Sequence, residues 1–226
     1  MQKTKTNLFD NNLIRVVLVV LLCSSGVLHA ADPLTQPAPK SAMASSSLML
    51  DVAAAGERLV AVGERGYILL SDDDGNSWRQ VSSPVSVTLT RLYFVDSQFG
   101  WAVGHGGVVL HSEDGGATWK KQLDGVEAAQ IELNTAVNMQ AALPGQAADR
   151  RLSSANRLVE EGADKPLLAV HFFDRRPGLV LGAYGLALST QDGGESWHSM
   201  TDRVDNPMGL HLYSFLDVNG TYFIAG

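Results

Sequence analysis

The chain has one cysteine in 226 residues, Cys23, and that residue falls inside an amino-terminal leader. Removal of the leader removes the only thiol, which excludes disulfides, cysteine-based metal sites and cysteine nucleophiles from the remainder. Leu21 and Leu22 before it do not fit the small residues of a lipoprotein signal. A basic excess is also missing. The formal charge is −7, and a leader holding three basic residues and Asp10 leaves about −9 for the rest. An acidic chain without a basic stripe is a poor partner for nucleic acid or anionic lipid, and a better one for protein or neutral ligands. The leader's apolar run, Val16 to Leu22, is too short to span a bilayer. Lys3, Lys5 and Arg15 before it and Leu28-His29-Ala30 after it give the pattern of a secretory signal peptide, residues 1–31, cleaved before Ala31 or Asp32. His105, His111, His171 and His211 are scattered without metal-ligand spacing, so neither a metal nor a cofactor is expected.

What the sequence does have is a pattern, S/T-x-D-x-G-x-S/T-W, written three times. The copies are Ser71, Asp73, Gly75, Ser77, Trp78; Ser112, Asp114, Gly116, Thr118, Trp119; and Thr190, Asp192, Gly194, Ser196, Trp197. Each is preceded at fixed offset by a G-x-x-G step, at Gly63 and Gly66, Gly104 and Gly107, and Gly182 and Gly185. Self-similarity of this kind marks an array of similar supersecondary units. The second copy shows the unit best. Four short runs, 89–95, 100–103, 108–111 and 119–123, are rich in β-branched and aromatic residues and separated by Gly, Asp and Ser, the signature of a four-stranded antiparallel meander. The first two tryptophans lie 41 residues apart, the length of one β-propeller blade.

The expected fold is therefore all-β: a β-propeller of four-stranded blades at about 48–84, 88–123 and 166–201, with half of a fourth at 208–226. In that last unit 212–216 and 221–225 read as strands, with Gly226 at the position of Gly104. Rings need roughly 4 to 8 blades to close, so the propeller reads as incomplete and the chain as a piece of a longer protein; closure by self-association is the alternative. Residues 32–47, rich in Pro, Ala and Ser, read as a flexible linker. The segment 125–165 reads as a helical insertion between blades two and three, with stripes at Ile131, Asn134, Val137, Met139 and at Leu152, Ala155, Leu158, Val159, broken by Pro144-Gly145.

The repeated motif is read as a structural staple. Aspartate accepts backbone N–H groups in a tight turn, glycine supplies positive φ, hydroxyls satisfy further backbone groups, and tryptophan packs between sheets. In an up-and-down meander the motif turns join strands three and four, on the same face as the turns between strands one and two. The G-x-x-G turns and the connections between blades share the opposite face. Variable connections on a rigid scaffold usually carry function, which makes Glu64, Arg65, His105 and Tyr184 in the turns, and Arg150, Arg151 and Arg157 in the insertion, the candidate partner-binding residues. Arg175 and Arg176 fall on the other face.

The motif resembles the Asp-box, or BNR repeat, of sialidase-like propellers. Together with the G-x-x-G spacing and glycine-rich second strands such as Phe99-Gly100-Trp101-Ala102-Val103-Gly104, it is similar to the photosystem II stability and assembly factor family. The resemblance covers about residues 48–123 and 166–226. It implies a periplasmic or lumenal, non-enzymatic propeller that binds subunits of a membrane-protein complex, photosystem II or an envelope complex, without being integral to the membrane after signal cleavage. Two alternatives remain. One is a glycan-binding or sialidase-like glycosidase, for which Arg58, Arg65, Arg91, Tyr67, Tyr93 and Glu64 supply residue types but no sialidase arginine motif. The other is an accessory of an envelope transport system. No catalytic residue is assigned.

Overall fold

The computed structural model describes residues 32–226, and the leader with Cys23 lies outside them. Among the described residues no helix is long and apolar enough to cross a membrane. Three four-stranded antiparallel sheets follow one another in chain order, and a two-stranded sheet comes last. Blade 1 is β1 (Met49–Ala55), β2 (Arg58–Gly63), β3 (Ile68–Ser71) and β4 (Arg79–Val81). Blade 2 is β5 (Leu89–Phe94), β6 (Gly100–Gly104), β7 (Val109–Ser112) and β8 (Lys120–Leu123). Two helices follow, α1 (Gly125–Ala142) and α2 (Gln146–Glu161). Blade 3 is β9 (Leu167–Phe172), β10 (Gly178–Gly182), β11 (Ala187–Thr190) and β12 (His198–Ser199), and the half-blade is β13 (Ser214–Val218) and β14 (Thr221–Ala225). This is the incomplete propeller with a helical insertion that the repeat implies.

Strand period 2 explains where the core sits. Alternate residues of each middle strand point to opposite neighbours. In β2, Val60 and Val62 join Ile68, Leu70, Leu89, Leu92, Leu110 and Trp119 in the layer between blades 1 and 2. Ala61, one residue out of phase, turns the other way and packs with Tyr67 and Leu69. A second layer, holding Trp101, Val103, Val109, Phe172, Val180, Leu188 and Trp197, fills the seam between blades 2 and 3. The first strands are tied to one another by side chains as well. Asp51 Oδ2 accepts from Leu92 N at 2.8 Å, and Thr90 Oγ1 donates to Leu167 O at 2.6 Å.

The four units share one close approach. At Gly63, Gly104, Gly182 and Gly226 a Cβ would collide with the carbonyl oxygen of Leu48, Thr88, Pro166 and His211 respectively. In the first three units that same oxygen accepts the next backbone N–H, from Glu64 (3.0 Å), His105 (2.8 Å) and Ala183 (3.0 Å). The second strand can therefore end against the entry to the first only if it ends in glycine. Gly104→Ala should cost about 2–3 kcal/mol by forcing the two backbones apart, checked as a lower urea midpoint with an unchanged slope.

Three expectations are corrected. Residues 32–47 are not a loose linker. Leu34 is buried in the layer between blades 1 and 2, and Ala44 covers Ala61, Tyr67 and Leu69. The segment is also held by its backbone: Ser86 N donates to Pro33 O (2.9 Å) and Ala38 N to Ser83 O (3.1 Å), while Gln80 accepts from Ser41 N (3.0 Å) and donates to Pro39 O (2.8 Å). Composition suggested flexibility, but one leucine and a few paired amides suffice to dock it along β4, an edge that would otherwise be open. The expected helix stripes are only partly buried: Ala155 is buried and Ile131, Leu152 and Leu158 are half-buried, but the stripes do not define the contact faces. Val137 and Val159 are exposed, and the helix faces that become buried carry Ala128, Ala129, Ala136, Ala148 and Ala155, whose small side chains let the backbones approach. In the half-blade the first ladder starts at Ser214 and not at Leu212, because Leu212 N is already bonded to Gly182 O of blade 3 at 3.0 Å.

Candidate partner-binding face

The box turns behave as staples, and their geometry repeats closely. In each, the serine or threonine hydroxyl donates to one aspartate oxygen and accepts the glycine N–H: Ser71 to Asp73 and from Gly75, Ser112 to Asp114 and from Gly116, Thr190 to Asp192 and from Gly194. The hydroxyl after the glycine, from Ser77, Thr118 or Ser196, donates to the other carboxylate oxygen at 2.6 Å in all three. Trp78 and Trp119 indoles close the turn on Gly75 O (3.1 Å) and Gly116 O (2.8 Å), whereas the Trp197 indole has no partner.

These bonds hold the carboxylates ionised. The Ser196 hydroxyl and amide bring Asp192 down to about 2, and those of Ser77 lower Asp73. For Asp114, burial works the other way but is outweighed by the Thr118 hydroxyl and amide. A folded-state value below the ordinary 3.8 means stability that is present above pH 4 and lost as pH falls toward 2. Asp192→Asn should cost about 1–2 kcal/mol at neutral pH, allowing for solvent exposure. The gap in melting temperature between variant and parent should narrow as the pH is lowered from 7 to 2.5, which a thermal scan at both pH values reads.

The box turns and the turns between first and second strands do share a face. Gly115 N donates to Gln98 O and Gly193 N to Arg176 O, and Arg175 Nε reaches Asp96 at 2.7 Å from the neighbouring blade. The opposite face holds the three G-x-x-G turns. Each has its third residue in the left-handed region: Arg65 at φ 56°, Gly106 at 67° and Tyr184 at 57°. Holding a non-glycine residue there costs energy that the surrounding fold must offset. Only in the middle turn is this third residue covered: Leu34 and Ala163 close over Gly106, and Gly125 over Gly107. Arg65 and Tyr184 stay exposed, Tyr184 at 57%.

The helices rise from this covered turn. Asp124 caps α1 by accepting from Val126 N and Glu127 N, while Glu127 reaches back to Asp124 N, a D-x-x-E capping box legible at 124–127. α2 returns antiparallel and ends at Gly162, φ 75°. Between α2 and the Tyr184 turn lies a cleft of about 340 Å³. Arg151, Leu158, Glu161 and Lys165 line one side, and Tyr184, Leu186 and Met208 the other. At its floor, Glu132 accepts from Arg151 Nη2 (3.3 Å) and Thr201 Oγ1 (2.9 Å), and Arg151 Nη2 also donates to Ser199 Oγ (2.9 Å). Lys165 Nζ lies 2.6 Å from Glu161, 2.7 Å from Asp164 and 4.8 Å from the Tyr184 ring centroid.

The structure thus brings together Tyr184, Arg151 and Arg157 of the candidate residues. Arg150 is not among the residues lining the cleft, and Glu64 and Arg65 share the blade 1 turn while His105 lies in the blade 2 turn. No single arginine patch forms. Arg151 is committed to Glu132, and Arg157 lies 3.2 Å from Glu161. Glu132 and Lys165 were missed in the sequence, because nothing in a helix stripe or a linker marks a charge that will be buried. The residue types considered for glycosidase chemistry are dispersed. Arg58 pairs with Asp72 at the box turn of blade 1 (2.6 Å), Tyr67 is buried, and Tyr93 packs on His171 at 4.9 Å. Among the described residues no group of three or more His, Cys, Asp or Glu could hold a metal ion.

Residues 70–142 match the family model described as photosynthesis system II assembly factor YCF48. The matched segment, about a third of the chain, is similar to that family's repeat. It runs from the end of β3 through all of blade 2 to the last residue of α1. No curated protein gives a significant match. Two solved structures are similar. A YCF48 bound to D1 peptide is 18% identical, with a TM-score of 0.44 over 67% of this chain and 39% of that one. YCF48 from Cyanidioschyzon merolae is 14% identical, with a TM-score of 0.48 over 78% of this chain and 47% of that one. The chain therefore spans less than half the length of either YCF48.

Proposed function

We propose that this is a non-enzymatic, protein-binding propeller of the YCF48 type that assists the assembly or stability of a membrane-protein complex from the periplasmic or lumenal side. The complex would be photosystem II where the host is photosynthetic. The observation that carries this reading is the family match over residues 70–142, which takes in α1 as well as the blade repeat. The structure adds a face suited to the task. Tyr184 is presented in a strained turn beside a cleft, with Met208 and Leu158 as apolar contacts, on a scaffold made rigid by its blade seams. Because the cations around the cleft are already paired, we take shape and apolar contact at Tyr184 to contribute more to recognition than net charge does.

A photo-crosslinking residue placed at Tyr184, and in a second variant at Asn76 on the box face, separates the readings in the host's own membranes. Membrane-complex subunits trapped from position 184 and not from 76 are the expected result. Trapping from 76 alone would move the site to the other face. Failure at both positions, with retention of the protein on a sialoside or glycan matrix, would replace the reading by a glycan-binding one. Trapping of transport-system subunits from 184 would keep the face and change the partner.

A further inference from the structure

Beside the Trp197 indole, the seam between blades 2 and 3 contains two more buried polar atoms without a partner, His111 Nε2 and Gln122 Oε1. Their side chains are neighbours. Gln122 Nε2 lies 3.3 Å from His111 Nδ1 and donates to Gly193 O of the blade 3 box turn at 2.9 Å. The His111 ring is stacked on Trp101 at 4.7 Å and 12°, Trp101 is stacked on Phe172 of blade 3 at 3.5 Å, and the Trp101 indole donates to the same Gly193 O at 3.2 Å. One carbonyl of blade 3 is thus held by two donors from blade 2, and one of those donors also faces an imidazole.

That geometry works with one protonation state only. The Gln122 amide presents an N–H to Nδ1, so Nδ1 must be the lone-pair nitrogen and the ring proton must sit on Nε2. A second proton on the ring would go to Nδ1 and set donor against donor. Gln122 can relieve this by turning its amide over, which gives Oε1 a partner in Nδ1–H. The turned amide then meets the Gly193 carbonyl acceptor to acceptor, and the seam loses one of its two bonds to the box turn. We propose that His111 and Gln122 form a proton-operated latch on the seam between blades 2 and 3, closed when the imidazole is neutral and open when it is charged.

The surroundings set where the latch works. Burial holds the His111 imidazole below its ordinary 6.5; Glu113 on its own strand end and Glu195 of blade 3 oppose this, and Lys120 across the ladder reinforces it. Asp114 and Lys121 line a second cleft, beside the blade 2 box turn, that His111 and Gln122 also line. The next charges outward, Arg175 over the Phe99 ring (4.2 Å) and Asp96 beside it, are paired with each other. A folded value below that of the unfolded chain keeps the latch closed at neutral pH and opens it below 6.5.

The test is a side-chain NMR titration of the full chain from pH 8 to 5. The Gln122 amide and Trp101 indole resonances should move with the midpoint of the His111 ring carbons. His111→Asn, whose Oδ1 takes the place of Nδ1 as acceptor, should abolish both movements, and His171→Asn should leave them intact. Movement of His111 with Gln122 static, or persistence of the Gln122 curve in His111→Asn, would overturn the latch. Should His111→Asn fail to fold, Gln122→Met decides: the stacked Trp101 ring still follows the His111 charge, but the Gly194 amide next to the Gly193 carbonyl should lose the pH dependence it shows in the parent, and an unchanged Gly194 curve would overturn the proposal.

Discussion

Trp101→Ala should be the most damaging single truncation in the described chain, lowering stability by about 3–5 kcal/mol and the melting temperature by roughly 10 °C or more. The indole is fully buried, lies parallel to Phe172 with ring centroids 3.5 Å apart, and bonds Gly193 O. Its removal leaves a cavity where two blades meet, walled by sheets whose strands cannot collapse inward independently. Trp78→Ala is the control. That indole sits half-buried on the face of blade 1 that lacks a neighbouring blade among the described residues, and its loss should cost about a third as much. Equal losses at the two sites, by thermal and urea unfolding, would show that the seam between blades 2 and 3 is not where stability is concentrated.

The second large effect is expected at Glu132. Its carboxylate is almost wholly buried under α2, with Arg151 on one oxygen and Thr201 on the other. Glu132→Ala takes the close carboxylate from the Arg151 guanidinium, whose Nε already lacks an acceptor, leaving it Ser199 Oγ and a carboxylate 3.9 Å away on exposed Asp202, and should cost about 3 kcal/mol. The pair itself need not be stabilising. Replacing both partners together, Glu132→Leu with Arg151→Met, should recover most of the loss, because the desolvation of two charges then disappears along with their attraction. Hydrogen exchange gives the local reading. In Glu132→Ala the α2 amides should lose protection while those of β6 and β10 keep theirs, since the ion pair and Ser199 dock the helices on blade 3 without entering its core. Loss of protection throughout the chain would mean that the helices and blades unfold as one unit.

Sequence reasoning reached the blades because the box encodes its own geometry. Ser, Asp, Gly and Ser or Thr at fixed offsets make the same hydrogen bonds wherever the chain brings them, so three copies announced three equivalent turns. The terminal glycine of each second strand was legible for the same reason: a local steric demand leaves one residue type. The helices were legible as helices, but their contact faces were not. A stripe of Ile, Val and Leu draws the eye, yet close approach selects alanines, and the burial of Glu132 depends on an arginine 19 residues away and a threonine in the next blade. The docking of residues 32–47 was illegible too, because its anchor Leu34 gains its value from Gly106, in a turn of another blade.

The candidate face divides in the same way. Its turn residues could be located from topology alone, since strand order decides which loops share an end of the blades. Which of them meet was a matter of tertiary structure. Tyr184 comes to lie against Lys165 and the cleft, while Arg65 and His105 stand apart, according to where the insertion folds back. By itself the sequence determined the fold of each blade, the staples, the box face and its opposite, because these rest on contacts within about forty residues and repeat. Only the tertiary structure decided which charges are buried in pairs, which edge is covered, and how His111 and Gln122 share the seam. Those contacts join residues from different units, where no local spacing rule operates and the outcome depends on how the packed surfaces fit.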